Sequence, residues 1–195
     1  TEMLFYRGQV PPDLPVDAAL STLSHEIAYP LKYGYCCVGR VVELGKDVPA
    51  EWQNRLVFAF NPHETCFLAA PSDVIPLPEG MTPEQAVFLP NMETAVNLVM
   101  DGRPMIGDQV AVLGQGVVGL LTAALLAQFP LASLVTLDRF PLRREWSLKL
   151  DARASLDPAM PDGVRAALES LAADRSYPAA DLIYELSGSP DALNL

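Results

Sequence analysis

Cysteine is scarce: the 195-residue chain has three, Cys36, Cys37 and Cys66. An odd count with one adjacent pair makes a poor disulfide framework and has no zinc-site spacing. Basic residues are few as well, 13 Lys and Arg against 24 Asp and Glu, for a net charge of −11. That balance argues against a nucleic-acid backbone or an anionic membrane surface as partner, because both need clustered positive charge. No apolar run reaches the roughly 18 residues of a membrane span. No basic start followed by an apolar stretch marks a secretion signal, although a targeting peptide ahead of Thr1 would not be seen. These absences favour a reducing cytoplasm. What the chain has is apolar material: 50% is hydrophobic and 19% charged, enough for a core in one large domain or two small ones.

Two regimes follow one another. Up to about Pro90 the sequence is rich in Pro, and its short apolar runs read as strands at Gly39–Leu44, Arg55–Phe60 and Asp73–Leu77. Turn signals at Gly45-Lys46-Asp47, Asn61-Pro62 and Pro78-Glu79-Gly80 separate them, and short strands at this spacing suggest a compact β-barrel or sandwich. Leu14–Leu23 reads as loop with a helical turn. From Thr82 the period changes. Thr82 is placed as an N-cap with Pro83 at the first helical position, and a second helix is expected over Glu93–Met100. Strands at Gln109–Leu113, Ser133–Leu137, Arg153–Leu156 and Asp181–Leu186 then alternate with helices at Val117–Phe129, Pro141–Leu150 and Gly163–Ala173. Such alternation means a parallel sheet with helical crossovers.

The segment Gln109–Leu121 supplies Gly114, Gly116 and Gly119 in a G-x-G-x-x-G pattern. Alone the pattern is weak; here an apolar strand precedes it, an apolar helix follows, and an acid ends the next strand. Gly114 permits a tight turn, Gly116 lets a pyrophosphate approach the backbone, and Gly119 allows close helix–strand packing. The diphosphate would sit on the helix tip, on the N–H groups around Val117 and Val118. Asp138 lies 19 residues beyond Gly119, close to the expected spacing of about 20 for a carboxylate on the adenine-ribose hydroxyls. It favours NAD over NADP, whose 2′-phosphate it would repel; the adjacent Arg139 pulls the other way.

A β-rich region, a Glu93-Thr94-Ala95 helix and a Gly-x-Gly-x-x-Gly unit, in that order, resemble the medium-chain dehydrogenase/reductase superfamily, known best for its zinc alcohol dehydrogenases. Local echoes include Val38-Gly39-Arg40-Val41-Val42, Val74–Gly80 and Glu185-Leu186-Ser187-Gly188. Tyr29–Tyr35 and Pro90–Ala95 are similar to the subgroup containing bacteriochlorophyllide a dehydrogenase. The resemblance implies an α/β architecture: a GroES-like catalytic part over residues 1–100 lacking its start, then a Rossmann doubly wound parallel sheet over residues 101–195 lacking its last strands. It implies an oxidoreductase moving hydride between NAD(H) and a secondary alcohol or ketone. The small-molecule substrate could be bulky and hydrophobic, such as a tetrapyrrole. Alternatives are a zinc-free quinone or enone reductase and a nucleotide-binding fragment without turnover. A homodimer through a sixth Rossmann strand is an option for the full-length protein.

The departures from the family are as informative. Its zinc-binding His sits in Gly-His-Glu, where this chain has Gly34-Tyr35-Cys36. A third ligand, Glu in one branch, falls near Pro90, and the cysteine-rich lobe is missing. Cys36, His63 and Cys66 remain as stray donors, short of a tetrahedral set. The reading is zinc-free, with no metal residues. Polarising a carbonyl then falls to hydrogen-bond donors, which nominates Tyr35 and the titratable His63 as catalytic residues. The resemblance places Thr94 at the nicotinamide end of the cofactor and Ser187 and Gly188 beside its ribose. Arg143 and Arg144 are candidates for the adenine pocket or for a solvated helix face.

Overall fold

The computed structural model describes residues 6–9, 32–160, 162, 165 and 180–189. Leu14–Leu23 and the helix expected over Gly163–Ala173 lie outside the described residues. The chain forms two compact units, Thr1–Pro90 and Asn91–Leu195.

In the first unit, β1 (Cys37–Arg40), β2 (Leu56–Ala59) and β3 (Val74–Pro76) make an antiparallel sheet in that order. Phe58, fully buried on the central strand, meets Phe60 edge-to-face at 5.0 Å. The first strand starts and ends earlier than its Gly39–Leu44 expectation. Cys37 already pairs with Ala59, while beyond Arg40 backbone pairing runs one residue further, from the Val41 N–H to the Arg55 carbonyl at 3.0 Å and from the Asn54 N–H to the Val41 carbonyl at 2.9 Å. Arg40 Nη1 donates to the Asn54 carbonyl at 2.6 Å and Gln53 Nε2 to that of Val42 at 3.0 Å, so Val42 and Glu43 run out into solvent. The short helix α1 (Pro83–Ala86) carries a complete capping box. Thr82 Oγ1 accepts from the Gln85 N–H, and Gln85 Oε1 accepts from the Thr82 N–H.

Helix α2 (Leu89–Gly102) outruns its Glu93–Met100 expectation at both ends. Its Val99 enters the core of the second unit. There β4 (Gln109–Leu113), α3 (Val117–Leu126), β5 (Ser133–Leu137), α4 (Pro141–Lys149), β6 (Ala154–Leu156) and β7 (Leu182–Glu185) build an all-parallel sheet in the order β6-β5-β4-β7. Every residue of β4 and β5 is buried, as central strands covered on both faces require. Val110, Val112, Ala123, Leu126, Leu134 and Tyr184 join Val99 in one apolar cluster. Gly102 closes α2 because a Cβ there would collide with the Tyr184 hydroxyl. The chain steps outward from β4 through β5 to β6, then returns to the other side of β4 with β7. That reversal is a topological switch point, and ligands of open α/β sheets bind outside the carboxyl ends of strands at such points.

Candidate functional site

The carboxyl end of β4 runs directly into the glycine turn. Gly114 has φ +88°, and a side chain there would strike the backbone of Leu186 and Ser187 after β7. Gly119 packs so tightly that a Cβ would fall on the Gly114 carbonyl oxygen. Gly116 is different: its backbone is extended, and a Cβ would meet nothing within 4 Å. It is also the N-cap of α3, with no side-chain cap and no acid in the first turn. The N–H groups of that turn have no intrahelical acceptor, and the positive end of the helix dipole lies there. Val117 is exposed and Val118 half-buried at the helix start.

Asp138 follows β5 and is 6% exposed. Its Oδ2 accepts the Gln115 backbone N–H at 2.7 Å, and its Oδ1 accepts that of Phe140 at 2.8 Å. The Arg143 guanidinium stands 3.5 Å from Oδ2 and 4.7 Å over the Phe140 ring. Arg144 is committed elsewhere, to the Asp138 and Arg139 carbonyls at 2.8 and 2.9 Å and to Asp157 at 3.1 Å. It therefore fixes the loop after β5.

Between these walls opens a cavity of about 450 Å³. Gly114, Gly116, Asp138, Arg139, Phe140 and Arg143 line it together with Ser187 and Ser189. Gly188, at φ +63°, turns the chain between those serines. Glu185 organises this loop by accepting the Ser187 N–H at 2.8 Å and the Ser187 hydroxyl, while Ser187 Oγ accepts the Ser189 N–H at 3.0 Å. The structure thus gathers Gly114, Gly116, Asp138, Arg139 and Ser187 around one space. Thr94 lies on the exposed side of α2, away from the cavity lining.

Three neighbours were not singled out from the sequence as site residues: Phe140, Ser189 and Gln115. Phe140 precedes the Pro at the first position of α4, and its place two residues after Asp138 could have flagged it. Nothing local marks Gln115, whose role depends on complete burial.

In the first unit the structure brings Tyr35 and His63 into one neighbourhood. The His63 N–H donates to the Tyr33 carbonyl at 3.1 Å, and its imidazole packs where a Cβ of Gly34 would be. Gly34, at φ +116°, is required on both counts. Tyr35 follows it, half-buried, and His63 is exposed. Lys32 pairs with Glu64, and this hydrogen-bonded ammonium holds the Glu64 carboxyl below its ordinary range.

A dinucleotide fits: an uncapped helix tip, a glycine with open space over it, and a carboxylate lining the same cavity of suitable size. Zinc does not fit the described donors. Cys36 Sγ donates to the Val87 carbonyl at 2.9 Å, and Cys37 Sγ to those of Asn61 and Pro62 at 3.4 and 3.3 Å. Among the described residues no three of His, Cys, Asp and Glu come together as a metal requires.

No family model matches the chain. It is 28% identical over 129 residues to the probable D-xylulose reductase A of Aspergillus terreus, covering 66% of this chain and 36% of that protein. It is 25% identical over 117 residues to the sorbitol dehydrogenase of Bacillus subtilis, covering 60% and 32%. The chain thus spans about a third of the length of these curated relatives. Among solved structures, an alcohol dehydrogenase from Thermus sp. ATN1 superposes with a TM-score of 0.65 at 20% identity, covering 99% of this chain and 61% of that one. An alcohol dehydrogenase from Escherichia coli CFT073 complexed with NADH gives 0.60 at 18%, covering 80% and 54%. A quinone oxidoreductase from Thermus thermophilus, solved also with NADPH, gives 0.55 at 23%, covering 70% and 44%. The fold is accordingly like that of these alcohol-dehydrogenase structures: a GroES-like antiparallel part followed by a Rossmann parallel sheet.

Proposed function

We propose that this chain carries the nucleotide-binding part and a portion of the catalytic part of an NAD(H)-dependent oxidoreductase acting on a secondary alcohol or ketone. One observation carries the reading: Gly116 opens onto a cavity that the Asp138 carboxylate also lines. In this account the N–H groups around Val117 and Val118 receive the diphosphate, and Asp138 accepts the ribose hydroxyls. Arg139, Phe140 and Arg143 flank the adenine, Ser187 and Gly188 border the ribose, and Thr94 serves the nicotinamide end. When bound, NAD supplies the hydride acceptor. Tyr35 holds and donates a proton to the substrate oxygen, and His63 is its titratable neighbour.

The relatives' names, a xylulose reductase and a sorbitol dehydrogenase, support polyols and ketoses as the first substrates to try. The likeness of Tyr29–Tyr35 to the bacteriochlorophyllide a dehydrogenase subgroup adds bulky hydrophobic alcohols to the panel. The donor set supports working without zinc, and three unbridged thiols support a reducing cytoplasm. The test is an NADH absorbance assay over that panel, with zinc content measured on the same preparation. Turnover of a secondary alcohol or ketone without stoichiometric zinc is expected. NADH binding with no turnover would leave a nucleotide-binding module.

A second reading rests on Arg143. Standing 3.5 Å from Asp138 and half exposed, it could accept a 2′-phosphate, as an NADPH-dependent quinone or enone reductase would need. Faster NADPH oxidation with a quinone than NADH oxidation with a ketone would favour it.

A further inference from the structure

Resting on the dinucleotide reading, we infer that Gln115, through its buried side-chain amide, is a positioning residue that holds the glycine turn ready for a diphosphate before any cofactor arrives. Gln115 is fully buried between two glycines, a costly place for a primary amide. Its Nε2 donates to the carbonyls of Val112 at 3.2 Å and Gly114 at 3.1 Å. Both partners are carbonyl oxygens that can only accept, so the NH₂ end must face them. The consequence is an orphan: among the described residues the buried Oε1 has no partner. A buried unpaired acceptor costs about as much as one or two net hydrogen bonds contribute, so this arrangement adds little to stability.

What it does is local. The Gly114 carbonyl oxygen lies between the Gln115 amide and the Cα of Gly119, the residue on which α3 rests. The backbone N–H of the same Gln115 is taken by Asp138 Oδ2 at 2.7 Å. The turn is therefore gripped at one residue from two directions, with its N–H drawn toward the ribose carboxylate and its preceding carbonyl drawn inward. With that carbonyl turned in, the peptides leading to Gly116 and the tip of α3 keep their N–H groups for an anion. Such pre-organisation acts on affinity by removing an ordering cost from binding.

The test is Gln115→Met, which conserves volume and removes both hydrogen bonds together with the orphan acceptor. NADH affinity by fluorescence titration is expected to fall about tenfold, the loss of one to two net hydrogen bonds. The unfolding midpoint without cofactor should stay within about 4 °C of wild type, because the removed terms offset. A purely structural role would lower both together, and a Kd within twofold of wild type would overturn the inference. Amide exchange on the wild-type protein gives an answer that does not depend on a variant folding. Slow exchange of the Gly114 and Gln115 N–H groups, which the Leu137 carbonyl and Asp138 Oδ2 hold at 2.7 Å, is expected without NADH, and fast exchange there would overturn the inference. Failure of the wild-type protein itself to bind NADH would instead remove the dinucleotide reading beneath it.

Discussion

Gly116 and Gly119 stand three residues apart in one motif, yet alanine should act on them in opposite ways. At Gly116 the backbone is φ −70° and ψ −170°, open to any residue, and a Cβ meets nothing within 4 Å. Gly116→Ala should leave the cofactor-free protein as stable as before. It could gain about 0.4–1 kcal/mol, because alanine narrows the unfolded ensemble. The new methyl projects into the space reserved for the diphosphate. Overpacking of one methyl costs about 1–3 kcal/mol, so NADH should bind roughly 5- to 150-fold more weakly. At Gly119 the added Cβ coincides with the Gly114 carbonyl oxygen, and α3 must lift from the turn. A similar 1–3 kcal/mol then falls on the fold itself, a loss of about 2–12 °C in the unfolding midpoint with or without cofactor. Circular dichroism melts without cofactor, paired with NADH fluorescence titrations, read both quantities. The reasoning fails if Gly116→Ala binds NADH as wild type does, or destabilises the cofactor-free protein as much as Gly119→Ala.

Further outcomes follow from other parts of the molecule. Asp138→Asn removes the charge that would oppose a 2′-phosphate, so the ratio of NADPH to NADH dissociation constants should narrow by about tenfold; an unchanged ratio speaks against the carboxylate as selector. Tyr35→Phe should depress turnover by about 10²-fold or more while NADH affinity stays put, the pattern of a lost acid, and unaltered turnover removes Tyr35 from the chemistry. Burial raises the Tyr184 phenol above its ordinary 10.0, so the native state keeps a proton there that the unfolded chain gives up. Stability should therefore fall as pH rises past about 10, and Tyr184→Phe should flatten that limb. Because the buried Tyr184 hydroxyl has no partner among the described residues, the same substitution should cost less than about 1 kcal/mol at neutral pH. A sharp neutral-pH loss would show that the hydroxyl is satisfied after all.

The parallel sheet was legible because its signal is strong at short range. Gln109–Leu113 and Ser133–Leu137 occupy their expected bounds, both being short β-branched runs buried on two faces and closed by turn residues. The Thr82-Pro83 helix start was equally readable, since every partner of a capping box lies within four residues. The first antiparallel strand was displaced because apolar alternation does not mark where backbone pairing stops: it ends at Val41, and the Gln53 side chain takes the Val42 carbonyl. In the site, Gly114, Gly116, Gly119 and Asp138 could be read from spacing, for their roles follow from backbone constraint and from position at strand ends. Gln115 could not. Polar to a sequence reading, Gln115 is the most deeply buried side chain of the turn, and only the tertiary approach of β4, β7 and α3 puts it there. Arg143 and Arg144 looked alike in sequence, but Asp157 and two carbonyls claim one and leave the other on the cavity wall.

The central claim is that Gly116 and Asp138 line one dinucleotide site that prefers NAD. Isothermal titration of the folded chain with NADH and NADPH in parallel tests it most directly. The account predicts saturable heat with NADH and binding at least about tenfold weaker with NADPH, as a carboxylate beside the ribose dictates. No heat with NADH from demonstrably folded protein, or tighter binding of NADPH, would contradict it.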